Sequence, residues 1–375
     1  MGVAVPPIYL DYNATTPVDP AVVDAMLPYL REHFGNPSSA HAFGAAARDA
    51  VEAARAQVAA LIGADPDEIV FTGGGSEASN HAIKGALTDG AHIVTTAVEH
   101  PATAQPVEWL RTRGASVTVV PVDRFGTVDP DAVHNALTPH TRLVSVMHSN
   151  NEVGTLMPVR EVALVCRERG VLVHTDCAQS LGKVAVNVRE LGADLLTIAG
   201  HKLYAPKGVG ALFVRRGVQL EPLIHGAGHE RGRRAGTENV PYLVGLGAAC
   251  ELARHSLPAA TERLRALRDR LHGKLLSALG DGLVLNGHPT ARLPNTLNLN
   301  FVGRTGAELL AAVPDIAAST GSACHEGRVQ LSPVLAAMGV PPEVGRGAVR
   351  LSVGRYTTED GVDRAAELLA AAPRH

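Results

Sequence analysis

Between residues 68 and 214 the chain repeats one pattern, and that pattern is what most limits its fold. Short apolar runs of four or five residues alternate with helix-length stretches whose apolar residues recur at helical spacing. The runs at 68–71, 92–95, 117–120, 143–146, 171–174, 195–198 and 210–214 read as strands. The stretches at 76–87, 103–113, 131–137 and 159–169 read as the helices between them, and 45–61 is an amphipathic helix ahead of the series. Strands alternating with helices at this interval imply an α/β fold, with a largely parallel sheet covered on both faces.

After about residue 240 the pattern changes. Two long helices are expected at 240–253 and 259–279, followed by strands at 297–301 and 349–353 and helices at 306–312 and 359–371. This reads as a smaller α+β domain. A chain of 375 residues suggests about two domains. The expected division is a large domain over 16–253 and a small one made of 1–15 and 254–375. Hydrophobic residues make up 46% of the chain, ample for a large core.

Composition narrows the partners. Charged residues are 19% and the net charge is −3, so no nucleic-acid partner is expected, and aromatics at 3% offer no stacking platform for a single strand. No apolar run approaches the ~20 residues that span a bilayer. Residues 1–10 lack the charged and apolar segments of a signal peptide. No membrane partner and a cytoplasmic location are the expectations. Cys166, Cys177, Cys250 and Cys324 stand far apart with no CxxC pair, so neither a disulfide framework nor a metal site is expected. The first three sit in apolar or helical runs and read as core. Cys324 instead sits in a loop of small and polar residues, 319–327, that can expose a thiol and let it move.

In parallel sheets ligands bind at the carboxyl ends of the strands. Five polar clusters follow strands here: Gly73-Gly74-Gly75-Ser76, Glu99-His100, Asn150-Asn151-Glu152, Asp176-Cys177-Ala178-Gln179 and His201-Lys202. The glycine turn opens a helix and suits a single phosphate, without the pattern of a nucleotide loop. Asp176 at a sheet end needs a cation or a donor, and a protonated pyridine nitrogen is such a partner. Gln179 can donate to a phenolate oxygen, and His100 can lie on a ring or shuttle protons. Lys202, held at a strand end with little slack, can act as an imine-forming amine. An imine lysine, an aspartate for a pyridinium and a turn for a phosphate are the three requirements of pyridoxal 5'-phosphate.

Further motifs carry a family resemblance. They are Tyr9-Leu10-Asp11-Tyr12-Asn13-Ala14-Thr15-Thr16-Pro17, Gly35-Asn36-Pro37-Ser38-Ser39, Asn150-Asn151-Glu152-Val153-Gly154, His174-Thr175-Asp176-Cys177-Ala178-Gln179, Gly200-His201-Lys202, Gly321-Ser322-Ala323-Cys324 and the stretch at 350–358. With them the chain resembles, over almost its whole length, the cysteine desulfurases among the fold type I pyridoxal phosphate enzymes, in the class V aminotransferase group. The resemblance implies a seven-stranded-type sheet in the large domain and a small domain that carries a mobile cysteine loop. It implies that Lys202 holds the cofactor covalently and that Asp176 pairs with its ring nitrogen. Gln179 and Asn151 are then placed near the phenolate oxygen, and His100 on the ring. Gly75, Ser76 and His201 hold the phosphate, and Thr237 reaches the phosphate of the other subunit in a homodimer. Arg350, assisted by Asn13 and Asn151, binds the substrate carboxylate as a fork. Cys324 takes sulfur from L-cysteine as a persulfide, leaving L-alanine; His100 and His325 are candidates for lowering its pKa.

Two departures stand out. Ala199 stands where many members carry a phosphate-binding serine, and strand alternation argues against Thr197 replacing it. The loop at 325–333, with 234–241, is similar to that of selenocysteine lyases, so selenocysteine is the alternative substrate. A sulfur-acceptor protein is expected, with iron–sulfur cluster assembly, tRNA thiolation and a biosynthetic carrier as open destinations.

Overall fold

The computed structural model of the chain describes residues 7–87, 90–320 and 331–373, together with the backbone of 324–325 and 328–329. Helices α1 (Pro20–Arg31) and α2 (Ala42–Ile62) come first. An alternating series follows: β1 (Ile69–Thr72), α3 (Gly75–Gly85), β2 (His92–Thr96), α4 (Pro101–Arg111), β3 (Ser116–Val120), α5 (Pro130–Ala136), β4 (Thr141–Ser145), α6 (Val159–Arg167), β5 (Leu172–Asp176), β6 (Leu195–Ala199) and β7 (Gly210–Val214). The seven strands form one sheet in the order β1-β7-β6-β5-β4-β2-β3. β7 runs antiparallel to both its neighbours, and the other pairs are parallel.

Alternation within β1, β6 and β7 sends side chains to two cores. Ile69, Phe71, Leu196, Ile198 and Phe213 pack with α1 and α2 on one face. Val70, Leu195, Leu212 and Val214 pack with α3 and α4 on the other. With both faces covered, the strands read as near-continuous apolar runs, which is why they are visible in the sequence. The chain steps from β2 out to β3, then returns to β4 on the opposite side of β2. Loops leaving β2 and β4 therefore diverge and open a crevice at their carboxyl ends.

The two helices expected at 240–253 and 259–279 are one helix, α7 (Val240–Leu279), 40 residues long. Pro258 lies inside it. An interior proline costs about 3 kcal/mol, yet each half of α7 is held by its own core. Val240, Leu243, Leu246, Ala249 and Ala253 join the first core, and Leu264, Leu267, Leu271 and Leu275 join another. Pro258 is exposed between them, where the helix touches neither.

The core joined by residues 264–275 backs an antiparallel sheet of β8 (Leu283–Asn286), β9 (Thr296–Phe301), β10 (Ser319–Thr320) and β11 (Ala348–Ser352), ordered β10-β11-β9-β8. Helix α8 (Gly306–Ala312) precedes β10, and α9 (Glu359–Ala371) closes the chain. Val349 and Leu351 of β11 enter this core, so Arg350 between them faces the other way. Residues 324–325 pair with 328–329 as a short antiparallel hairpin, with Cys324 opposite Val329.

Candidate active site

A cavity of about 650 Å³ opens at the carboxyl ends of the strands. It collects Gly73–Ser76 after β1, His100 after β2, Asn151 after β4, Asp176 and Gln179 from β5 and its turn, and His201 and Lys202 after β6. Each of the five clusters read from the sequence therefore sends at least one side chain or turn into one space. Asn13 and Arg350 line it from the remainder of the chain.

Lys202 ends a single 3₁₀ turn, Gly200–Lys202. Tyr204 just beyond it has φ +64, an uncommon conformation for a bulky residue. The turn is pinned by the segment before α1: Thr16 donates from both N and Oγ1 to the carbonyl of His201 at 3.0 Å. Lys202 Nζ donates to the carbonyls of Asn13 and, at 2.7 Å, Ala14. Burial, then the Arg350 cation, bring its ammonium down to about 8. A lysine whose ammonium gives up its proton this readily at a strand end suits nucleophilic attack on an aldehyde.

Asp176 ends β5 fully buried. Its Oδ1 accepts from Ala178 N at 2.9 Å, and Oδ2 accepts from none of the described residues. Burial raises its pKa, opposed by Ala178 N–H, His100 and Lys202. A carboxylate oxygen without a donor among the described residues, open to the cavity, fits a cationic N–H donor. His100 caps α4: its Nδ1 accepts from Ala102 N at 3.1 Å, so the neutral ring carries its proton on Nε2. Burial lowers its pKa, favouring that neutral form. His201 is likewise held down, to about 4, by burial and then by Lys202, with Nδ1 3.1 Å from Thr15 Oγ1.

The glycine turn forms a cradle at the start of α3. Gly74 has φ +146, open to glycine, and a Cβ on Gly75 would lie 3.0 Å from Ala199 Cβ. The first N–H groups of α3 have no intrahelical acceptor and suit an anion. Thr197 does lie on the same face as Ala199, because the two are two residues apart in a strand. This corrects the alternation argument. Thr197 still leaves the position of the missing serine hydroxyl unfilled, because its Oγ1 is taken by Ser79 Oγ and His174 Nε2, each at 3.0 Å. Lys207, which the sequence reading passed over, lines the cavity and supplies a cation. Its only sequence signal is its place three residues before a strand in a Pro-Lys-Gly loop.

Arg350 donates from one terminal nitrogen to Asn151 O at 3.1 Å. The other serves Asp11 Oδ1 at 2.8 Å and Ser319 Oγ at 3.2 Å. Its Nε is buried without a partner among the described residues. Asn13 Nδ2 bonds Thr296 Oγ1 at 2.9 Å and Asn151 O at 3.2 Å, and Asn13 N takes Ser352 Oγ at 3.0 Å. These contacts clamp the segment before α1 between the two sheets. Of the clusters' other members, Glu99 is buried behind the cavity, held by Thr96 Oγ1 at 2.7 Å and Met147 N at 2.9 Å. Asn150 closes its own turn, accepting from the backbone N of Glu152 and Val153. Thr237 is exposed and does not line the cavity. The side chains of Cys324 and His325, and residues 321–323, lie outside the described residues. Cys166, Cys177 and Cys250 are free and buried. Among the described residues no group of three or more acidic, histidine or cysteine side chains could hold a metal ion. No helix among them is long and apolar enough to cross a membrane.

Residues 8–365 match the family model described as aminotransferase class-V. The chain is 51% identical to a cysteine desulfurase of Gluconacetobacter diazotrophicus, over 96% of this chain and 92% of that protein. It is 45% identical to the cysteine desulfurase IscS of Methanosarcina thermophila, over 96% and 91%. Among solved structures it is similar to a NifS-like protein, with a TM-score of 0.91 at 36% identity over 97% of this chain and 98% of the other. It is also similar to SspA in complex with cysteine, with a TM-score of 0.83 at 34% identity over 93% and 99%.

Proposed function

We propose, from the premise that this chain belongs to the aminotransferase class-V family, that it is a pyridoxal 5'-phosphate-dependent cysteine desulfurase. The observation that carries this reading is the single cavity in which a Lys202 amine brought down to about 8, a buried Asp176 carboxylate and the glycine cradle at the start of α3 meet. The residues present fit that cofactor. Asp176 Oδ2 has no donor among the described residues, the cradle at Gly74 uses a positive φ that favours glycine, and 650 Å³ is an ordinary size for a cofactor pocket.

Bound there, pyridoxal phosphate supplies an electron sink that makes the Cα–H of an amino acid acidic. Lys202 Nζ would hold the cofactor's aldehyde and would be the base that moves the substrate's Cα proton. Asp176 keeps the ring nitrogen protonated. Gly75, Ser76, His201 and Lys207 would hold the phosphate, and His100, with its proton on Nε2, would face the ring. Gln179 and Asn151 serve the phenolate side. Arg350, with Asn13, would take the substrate carboxylate, and both line the cavity beside Lys202.

Cys324, as thiolate, attacks the substrate's Sγ. The new S–S bond forms as the Cβ–Sγ bond breaks, the electron pair goes to Cβ, which takes up a proton, and alanine and a Cys324 persulfide result. Desulfuration rather than selenocysteine lysis is favoured by the relatives' names and by the relative solved with cysteine. Thr237, exposed on the surface, reaches the phosphate of a second copy in a homodimer, and a sulfur-acceptor protein takes the persulfide's outer sulfur. The division into 16–253 and 1–15 with 254–375 follows the change of core along α7.

The test is to add L-cysteine to cofactor-loaded protein and measure alanine, enzyme persulfide and sulfide. Alanine should form with matching sulfur, and the Cys324→Ala variant should keep the cofactor but lose at least tenfold in alanine. Full alanine production by that variant would remove the nucleophile from Cys324. No alanine at all from the wild type would remove the reading.

A further inference from the structure

The turn between β5 and β6 carries a second lysine that the reading above leaves unused. Lys183 is 6% exposed, and its Nζ meets two acceptors, the backbone O of Gln179 at 2.9 Å and Gln179 Oε1 at 3.0 Å. Among the described residues no carboxylate lies within ion-pair distance of it. A buried cation without a counter-ion is costly, and here its donors go to the backbone and the side chain of one active-site residue.

That contact decides which way round the Gln179 carboxamide sits. An ammonium only donates, so the atom facing Nζ is the oxygen. The amide nitrogen then points the other way, where Nε2 donates to Asn13 O at 2.9 Å. Asn13 O is also the acceptor for Lys202 Nζ. The –NH2 group has a second proton, and Gln179 lines the cavity.

The backbone that delivers Lys183 is itself fixed. Lys183 N donates to Ser180 O at 3.0 Å, and Thr261 Oγ1 of α7 donates to Lys183 O at 2.8 Å. Gly182 has φ +71, and a Cβ there would sit 2.5 Å from Leu203 Cδ1, one residue past Lys202. The turn therefore packs directly against the element that presents Lys202.

We propose that Lys183 is a positioning residue: by donating to Gln179 Oε1 it holds the carboxamide so that Nε2 is the atom offered to an anionic oxygen on the bound cofactor. This rests on the pyridoxal phosphate reading above. Without Lys183, Gln179 Oε1 is left in a buried site without a donor, and the carboxamide gains a reason to turn over. The charged and titratable groups that act on Lys183 or feel it are Lys202, Arg350 and His201. Burial and the first two bring its ammonium down to about 7, and both its charged and neutral forms can donate to Oε1.

The experiment follows the pH midpoint of the visible absorbance of cofactor-loaded protein. A donor to the cofactor's anionic oxygen favours the deprotonated form, so losing it moves the midpoint up. Lys183→Met is expected to raise it by about one pH unit. Gln179→Ala should raise it similarly, and Lys183→Met added to Gln179→Ala should raise it no further. Lys183→Gln, which keeps a donor without the charge, should restore most of the wild-type midpoint. Lys183→Ala is read alongside, with the same expected rise, should the Lys183→Met chain fail to fold. An unmoved midpoint, an equal shift with and without Gln179, or no rescue by Lys183→Gln overturns the proposal while the cofactor reading stands. A wild type that takes up no pyridoxal phosphate overturns that reading and this one with it.

Discussion

The state of Lys202 gives the sharpest quantitative expectation. With its ammonium at about 8, roughly a tenth of Lys202 is neutral at pH 7, against a few parts in ten thousand for an ordinary lysine. Covalent capture of an aldehyde needs the neutral amine, so the site should outpace a free lysine by about 300-fold at that pH from this cause alone. Burial is the larger contribution and the Arg350 cation the next. The assay mixes cofactor-stripped protein with pyridoxal phosphate in a stopped-flow spectrometer from pH 6 to 9.5. An N-acetyl-lysine reference cancels the aldehyde's own titrations. Relative to that reference, the advantage should be greatest below pH 8. The protein's rate should climb about tenfold per pH unit up to 8 and level off above it. Arg350→Met should move the break upward, because a cation that disfavours the ammonium is gone. A rate that keeps climbing to pH 9.5, or a break that ignores Arg350→Met, refutes the account of why Lys202 is reactive.

Three further outcomes follow from other parts of the molecule. Glu230 and Arg55 form a buried bidentate pair at 2.8 and 2.9 Å, and Glu230 also accepts from Phe71 N at 2.8 Å. Glu230→Ala should therefore cost about 3–5 kcal/mol in urea unfolding, and a loss below about 1 kcal/mol would contradict a buried pair. Glu99 is pushed up to about 8 by burial, so the folded chain keeps a proton there that the unfolded chain releases above about 4.5. Raising the pH from 5 to 8 should then cost the wild type stability that Glu99→Gln does not lose, and equal urea midpoint changes in both proteins would count against it. A Cβ on Gly210 would lie 2.5 Å from Ile198 O and 2.8 Å from Gly74 C, so Gly210→Ala should deform the cradle and weaken pyridoxal phosphate binding at least tenfold by titration. Unchanged affinity would show that the cradle does not hold the phosphate.

The large sheet was legible because strands buried on both faces write themselves as apolar runs. Composition does not tell a parallel strand from an antiparallel one, so the reversed direction of β7 could not be read from 210–214. The break expected near Pro258 failed because local helix propensity was outweighed by two cores gripping one helix. Helix α1 escaped notice beside two prolines, although Asp19 caps it with a 3.0 Å bond to Ala21 N. The candidate site was legible wherever a polar cluster followed a strand. It was not legible where a residue acts from a distance in sequence. The clamp of residues 13–16 on the Lys202 turn, Lys207 at the cavity and Lys183 behind Gln179 depend on contacts between segments far apart, or on burial that a charged residue in a loop does not announce.

The most direct measurement reduces pyridoxal phosphate-loaded protein with borohydride, digests it and finds the modified lysine by mass spectrometry. Three lysines compete around the cavity, Lys183, Lys202 and Lys207. The account predicts the label on Lys202 and its loss in Lys202→Ala. A label on Lys183 or Lys207 in the wild type, or no label at all, would contradict it.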